Sequence, residues 1–121
     1  RISNCFIRTF DDSICVKAHK GTGICEDILA ERCIVWCDWN HSLEIGAETC
    51  ADEMRHIRFT NCDVIHSTGV VFSIHNVHHG HVHHACTTTS ASNTMNVRRI
   101  LSFSRMTKRR SACTRMTTSR I

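Results

Sequence analysis

The sequence predicts an all-β solenoid, a parallel β-helix of about three coils followed by a poorly ordered tail. Three observations carry that expectation. Cys5, Cys33 and Cys62 recur 28 and 29 residues apart, and Ile7, Val35 and Val64 keep the same two spacings. Ile14, Leu43 and Val71 recur at 29 and 28, as do Asp12, His41 and Gly69. A one-residue change of phase therefore falls between Val35 and His41, and the middle copy carries one extra turn residue. Within each copy, apolar and polar residues alternate with a period near two, as half-buried strands do. Repeats of this length, built of several short strands, suit coils that stack about 4.8 Å apart.

The elements follow in order. The chain opens on Arg1-Ile2-Ser3-Asn4-Cys5, already inside a repeat and without an initiator Met, so a piece of something longer is expected. Ser13-Ile14-Cys15-Val16 is the second strand of the first copy. Ile28 to Val35 opens the next copy, and Ser42-Leu43-Glu44-Ile45 follows its turn. Ile57 to Val64 and Val70 to Ile74 repeat the pair once more. Residues 1–85 are thus assigned to the coils and 86–121 to a basic low-complexity tail.

Composition narrows the class. At 121 residues and 41% hydrophobic content the chain can fill a small core. No stretch approaches the roughly 20 apolar residues of a membrane span, and the N-terminus lacks a basic-then-apolar signal pattern. All 11 acidic residues lie at or before Asp63, against seven basic ones, while the other eight basic residues lie from Arg98 onward. The nine cysteines include no Cys-x-x-Cys. Three share one repeat position, as small packing side chains would, so they are expected to be reduced and without zinc.

Register turns into contact when coils stack. Asp12 and His41 hold equivalent positions, Asp11 shares the first turn, and Asp38, Trp39 and Asn40 form the lip beside them. Glu44 lies on the next strand. Glycan hydrolysis needs one carboxylic acid to protonate the leaving oxygen and a second carboxylate to activate water or attack the sugar. Adjacent aspartates suit this because mutual repulsion keeps one of them protonated more readily. A histidine can orient the pair, and Trp36 or Trp39 could stack on a sugar face. An Asp-Asp turn that merely caps backbone N–H groups and faces water is the plainer alternative.

Asp11-Asp12-Ser13-Ile14-Cys15-Val16-Lys17 resembles the Asp-Asp-Cys-Ile-Ala-Ile-Lys motif of the polygalacturonases of glycoside hydrolase family 28. Asn40-His41-Ser42-Leu43-Glu44-Ile45-Gly46 is similar to that family's Gly-His-Gly-Leu-Ser-Ile-Gly segment one coil later. The likeness runs from about Arg1 to Asn76. It implies a right-handed parallel β-helix of inverting hydrolases acting on pectic and related glycans, with Asp11, Asp12 and His41 catalytic. Trp39, Asp38 and Glu44 would then meet the substrate. The family's Asn-Thr-Asp motif would precede Arg1, and no Arg or Lys occupies Val70 to Asn76, where its Arg-Ile-Lys motif would fall. Val35-Trp36 and Asp63-Val64-Ile65-His66 also resemble segments of the dextranase and isopullulanase family. The expected partner is a polysaccharide or oligosaccharide, with no nucleic acid, membrane, cofactor or metal. A polymer-degrading parent would act outside the cell. The alternative is a non-catalytic carbohydrate-binding or structural module.

Two features stand apart. His75, His78, His79, His81, His83 and His84 form a cluster in which His79, His81 and His83 would share a strand face. Their spacing is irregular, so adventitious metal capture is expected rather than a physiological site. From Cys86 the pattern gives way to Thr, Ser, Arg and Met, although a fourth coil is due near Ala85, 28 after Ile57. Read one frame over, the codons of this stretch permit Leu-Tyr-Asp-Asp-Ile-Arg-Val-Glu-Tyr-Asp-Glu. That text sets Tyr, Asp-Ile and Val where Phe59, Asn61-Cys62 and Val64 stand one coil earlier. Residues 86–121 are therefore expected to be an out-of-frame translation, against the rival of a genuine disordered basic tail.

Overall fold

The computed structural model describes residues 1–75, 81–91, 101–104 and 112–118. The first coil holds β1 (Ile2–Ser3), β2 (Phe6–Thr9), β3 (Ile14–Val16) and β4 (Ile24–Glu26). The second holds β5 (Leu29–Glu31), β6 (Ile34–Cys37), β7 (Leu43–Ile45) and β8 (Glu53–Arg55). The third holds β9 (Arg58–Ser67), β10 (Phe72–His75) and β11 (His81–His83). Every neighbouring pair is parallel, and the strands assemble into three sheets stacked in register: β1-β5-β9 with β2-β6-β9, β3-β7-β10, and β4-β8-β11. The chain is all-β with repeating coils, as the spacing predicts. The third sheet is an addition to that expectation, because three residues such as Glu53-Met54-Arg55 are too few to show an alternation.

The first-sheet rows stand where the spacing puts them. Phe6 to Thr9 pair with Ile34 to Cys37 residue for residue, and Val35 opposes Val64. The extra residue of the middle copy also holds, since Thr9 to Ile14 is matched by the longer Cys37 to Leu43. The third copy is corrected by one residue. Ile14 opposes Leu43, but Leu43 opposes Phe72 rather than Val71, so Val70 and not Gly69 follows His41 in the stack. The cause is a bulge: the pairing jumps from Val35–Val64 to Trp36–His66, which leaves Ile65 without an opposite residue.

Bends between strands are made by left-handed backbone. Asn4, Arg32 and Asn61 have φ of 55°, 50° and 51°, and Asp27, His56 and His84 have 58°, 54° and 51°. Register stacks the first three at one corner and the second three at another. Asn and Asp tolerate this conformation because their short side chains bond locally. Arg32 tolerates it with help, its Nε donating to Asn4 Oδ1 of the coil below at 2.9 Å. The amides of Asn4 and Arg32 still donate to Glu31 and Thr60 of the next coil, so turning costs no hydrogen bond.

Inside the coils, Ala30, Cys33, Val35, Leu43, Ile45, Met54, Ile57, Phe59, Cys62, Val64, Phe72 and Ile74 make one continuous core. The cysteine ladder is buried at Cys33 and Cys62, whereas Cys5 in the first coil is exposed.

Three further segments extend the sheets: β12 (Ala85–Ala91) on β9, β13 (Leu101–Ser104) on β10, and β14 (Ala112–Thr118) on β12. All three follow His84, the left-handed residue that closes the third coil. The patternless tail expected from Cys86 is revised over these segments, and its other residues lie outside the described ones. Cys86 opposes Arg58, so a fourth coil does begin at Ala85, as the repeat arithmetic requires.

The chemistry of that fourth coil is poor. Thr87 opposes Phe59, Thr89 opposes Cys62, and both threonines are buried. Their hydroxyls satisfy each other at 2.7 Å, which limits the cost of burying them but fills far less space than an aromatic ring. Threonine is at home in a strand, so the backbone pairs although the core pattern is lost. The shifted reading puts tyrosine at the first of these positions. The nucleotide sequence through the Cys86 codon is expected to hold an open shifted frame with apolar strand residues; an early stop there would end the idea.

Candidate functional site

The second sheet presents Cys15, Glu44 and Ser73 in one row across three coils. Leu43 and Ile45 point into the core, so alternation turns Glu44 to the opposite face. It is nonetheless only 3% exposed, because neighbouring side chains cover it. Cys15 Sγ lies 3.4 Å from its Oε2, and His75 Nδ1 lies 2.6 Å from its Oε1. Gly46 comes two residues after Glu44, just past the Ile45–Ile74 pair. A Cβ on Gly46 would meet Cys15 Sγ at 2.7 Å and Lys17 at 2.8 Å, so the row closes tightly only because that position is glycine.

Asp12 and His41 do come together, as their register requires. The His41 amide donates to Asp12 Oδ1 at 3.1 Å, and His41 Nδ1 lies 3.5 Å from the same oxygen. The His41 ring meets the His75 ring edge-on, with centroids 4.9 Å apart. Burial, and then a hydrogen bond with Glu44, push the Asp12 carboxyl above the usual carboxylate range. Burial alone would raise Glu44 too, but hydrogen bonds from Asp12, His75 and Cys15 outweigh it and hold Glu44 below its ordinary value. Of these two neighbouring acids, Asp12 is the one pushed up and Glu44 the one held down. Burial, followed by the Glu44 charge, raises the Cys15 thiol and keeps it protonated.

Asp11 has a different environment. It is exposed, accepting from Asn40 Nδ2 at 3.1 Å and from the Asp12 amide at 2.8 Å, and these two bonds lower its pKa. Adjacent in sequence, the two aspartates are driven in opposite directions by their surroundings. Asp38 is also held down, first by Arg8 at 3.1 Å and then by Trp36 Nε1 at 2.7 Å. His66 stacks on the Trp36 ring at 4.8 Å, and the Arg8 guanidinium lies 5.1 Å from its centroid. Trp36 is thus already engaged, whereas Trp39 is 64% exposed at the lip.

Two expectations change here. Glu44 is too buried to meet a polymer, so its place is that of a buried partner and not a substrate contact. The histidine cluster does find carboxylates, but one coil back rather than within its own strand. His75 reaches Glu44, and His83 reaches Glu53. His81 and His83 share a face of β11, flanking the buried Val82; His78 and His79 lie outside the described residues. Reasoning along the chain misses His75 as a site residue because its partner is 31 positions away. The repeat holds the signal that finds it, since Ile45 and Ile74 are equivalent. No family model, curated protein or solved structure matches the chain.

Proposed function

We propose that this coil stack is a right-handed parallel β-helix of the polysaccharide-active kind, a glycoside hydrolase acting on an acidic or neutral glycan. The observation that carries the reading is the juxtaposition of Asp11, exposed and hydrogen-bonded by Asn40, with Asp12, half-sheltered against His41 and Glu44. Asp12 would serve as the acid toward the leaving oxygen, and Asp11 as the carboxylate that activates water. Glu44 cannot be the second carboxylate. A carboxylate oxygen of Glu44 lies within 4.8 Å of one of Asp12, whereas inverting hydrolases keep about 6.5–9.5 Å between the pair to admit water. His41 would position Asp12 through its amide, and exposed Trp39 offers a sugar its flat face.

Release of reducing ends from polygalacturonate and from dextran tests this. Cleavage of at least one polymer is expected, with Asp12→Asn lowering kcat about 10²–10⁴-fold and Trp39→Ala acting mainly on KM. A protein that releases no ends from any glycan overturns the hydrolase. The exposure of Trp39 favours the second reading, a non-catalytic glycan-binding module, in which retention on immobilised glycan falls with Trp39→Ala and ignores Asp12→Asn.

A further inference from the structure

We propose that His41, Glu44 and His75 form a binding site for a divalent transition-metal ion of the zinc type, fastening the second coil to the third. The three residues offer two imidazole nitrogens and a carboxylate oxygen, all within 4.8 Å of one another. That donor set, three protein ligands with a fourth position free, is one that zinc accepts.

The distances bracket the spacing that an ion needs. With bonds of about 2.0–2.1 Å, tetrahedral ligands lie about 3.3 Å apart. His75 Nδ1 to Glu44 Oε1 is 2.6 Å and His41 Nδ1 to Glu44 Oε1 is 4.0 Å, so the required spacing falls between the two. Small rotations of the rings would even them out. His41 Nδ1 is a second, independent pointer: it is buried and makes no hydrogen bond. An orphaned buried nitrogen is costly, and here it stands beside the buried carboxylate. Glu44 itself is a charge removed from water, and such charges are paired or coordinate metals. Ligand spacing along a single strand does not reveal the set, because stacking draws it from β7, its preceding turn and β10.

The site does not depend on turnover, and its test need not involve a glycan. The chelator-stripped protein would be titrated with Zn²⁺ by calorimetry and with Co²⁺ by visible absorption. One equivalent is expected, with the intense d–d bands of a four-coordinate cobalt site. Glu44→Gln and His75→Ala should each weaken binding by more than the roughly 10–100-fold that outer-shell changes cost. Asp12→Asn should retain one equivalent, so a failed hydrolase assay and a failed metal site remain distinguishable. The His81→Ala/His83→Ala variant removes competing surface histidines and should leave the cobalt spectrum intact. No binding by the stripped protein, or binding that survives His75→Ala and vanishes in the His81→Ala/His83→Ala variant, overturns the proposal. Circular dichroism on each variant, with His75→Gln as the milder change, separates lost ligation from lost fold.

Discussion

Phe59→Ala is expected to destabilise the protein by about 3–5 kcal/mol, the range for deleting a buried aromatic ring. Phe59 is fully buried, between Ala30 of the coil below and Thr87 of the coil above. Neither neighbour is large enough to fill the space it would leave. Its ring also meets Phe72 from the next sheet edge-to-face, at a centroid distance of 5.7 Å. Such a pair contributes about 0.5–1.5 kcal/mol beyond area burial, and it links the first sheet to the second within their common core. Domains are commonly stable by only about 5–15 kcal/mol, so this one change consumes a large part of the total. Urea unfolding monitored by circular dichroism would measure it. Phe6→Ala is the control, since that ring is exposed and substitutions at such sites usually stay within about 0.5 kcal/mol. Equal effects from the two would mean that the core is not where it has been placed.

Gly69→Ala is the second large effect, and it comes from too little space rather than too much. A Cβ at Gly69 would lie 2.1 Å from the Asn40 carbonyl oxygen and 2.5 Å from its carbonyl carbon. These are backbone atoms of the turn below, and they cannot swing aside as a side chain would. Overpacking typically costs about 1–3 kcal/mol, occasionally more, and a backbone obstacle puts this case at the upper end. The damage should reach the candidate site. Asn40 holds Asp11 through its side chain and precedes His41, so displacing the turn shifts both. Gly23→Ala, where an added Cβ meets nothing within 4 Å, should be close to neutral. A lower unfolding midpoint for Gly69→Ala alone is the expected result. Equal midpoints would show that the turns do not touch as described.

The coil period is legible because stacking imposes it on residue identity. Ile7, Val35 and Val64 occupy one row and have to be apolar, so the row can be counted in the sequence. The same logic places Asp12 against His41. It fails at Ile65, because a bulge changes the count of residues without breaking the alternation on either side. It also fails at Glu44. Alternation tells which side of a sheet a residue takes, but not whether Cys15, His41 and His75 then close over it. The fourth coil misleads in the opposite way: Thr87 and Thr89 carry no apolar signal, yet their backbones pair in register.

The two columns of left-handed corners have a bearing on how such a chain can change length. Asn4, Arg32 and Asn61 form one column, and Asp27, His56 and His84 the other. Gain or loss of one whole coil sets each corner onto an equivalent corner, leaving both columns unbroken. An insertion of a few residues within a corner strand would instead stack a left-handed residue on an extended one and misalign every strand after it. Between the columns the constraint relaxes. The exposed stretch from His19 to Thr22 lies between β3 and β4 and closes on itself, the Thr22 amide donating to the His19 carbonyl, so added residues there can loop out into solvent. Growth by whole coils, and variation confined to such loops, is the pattern of change this architecture permits.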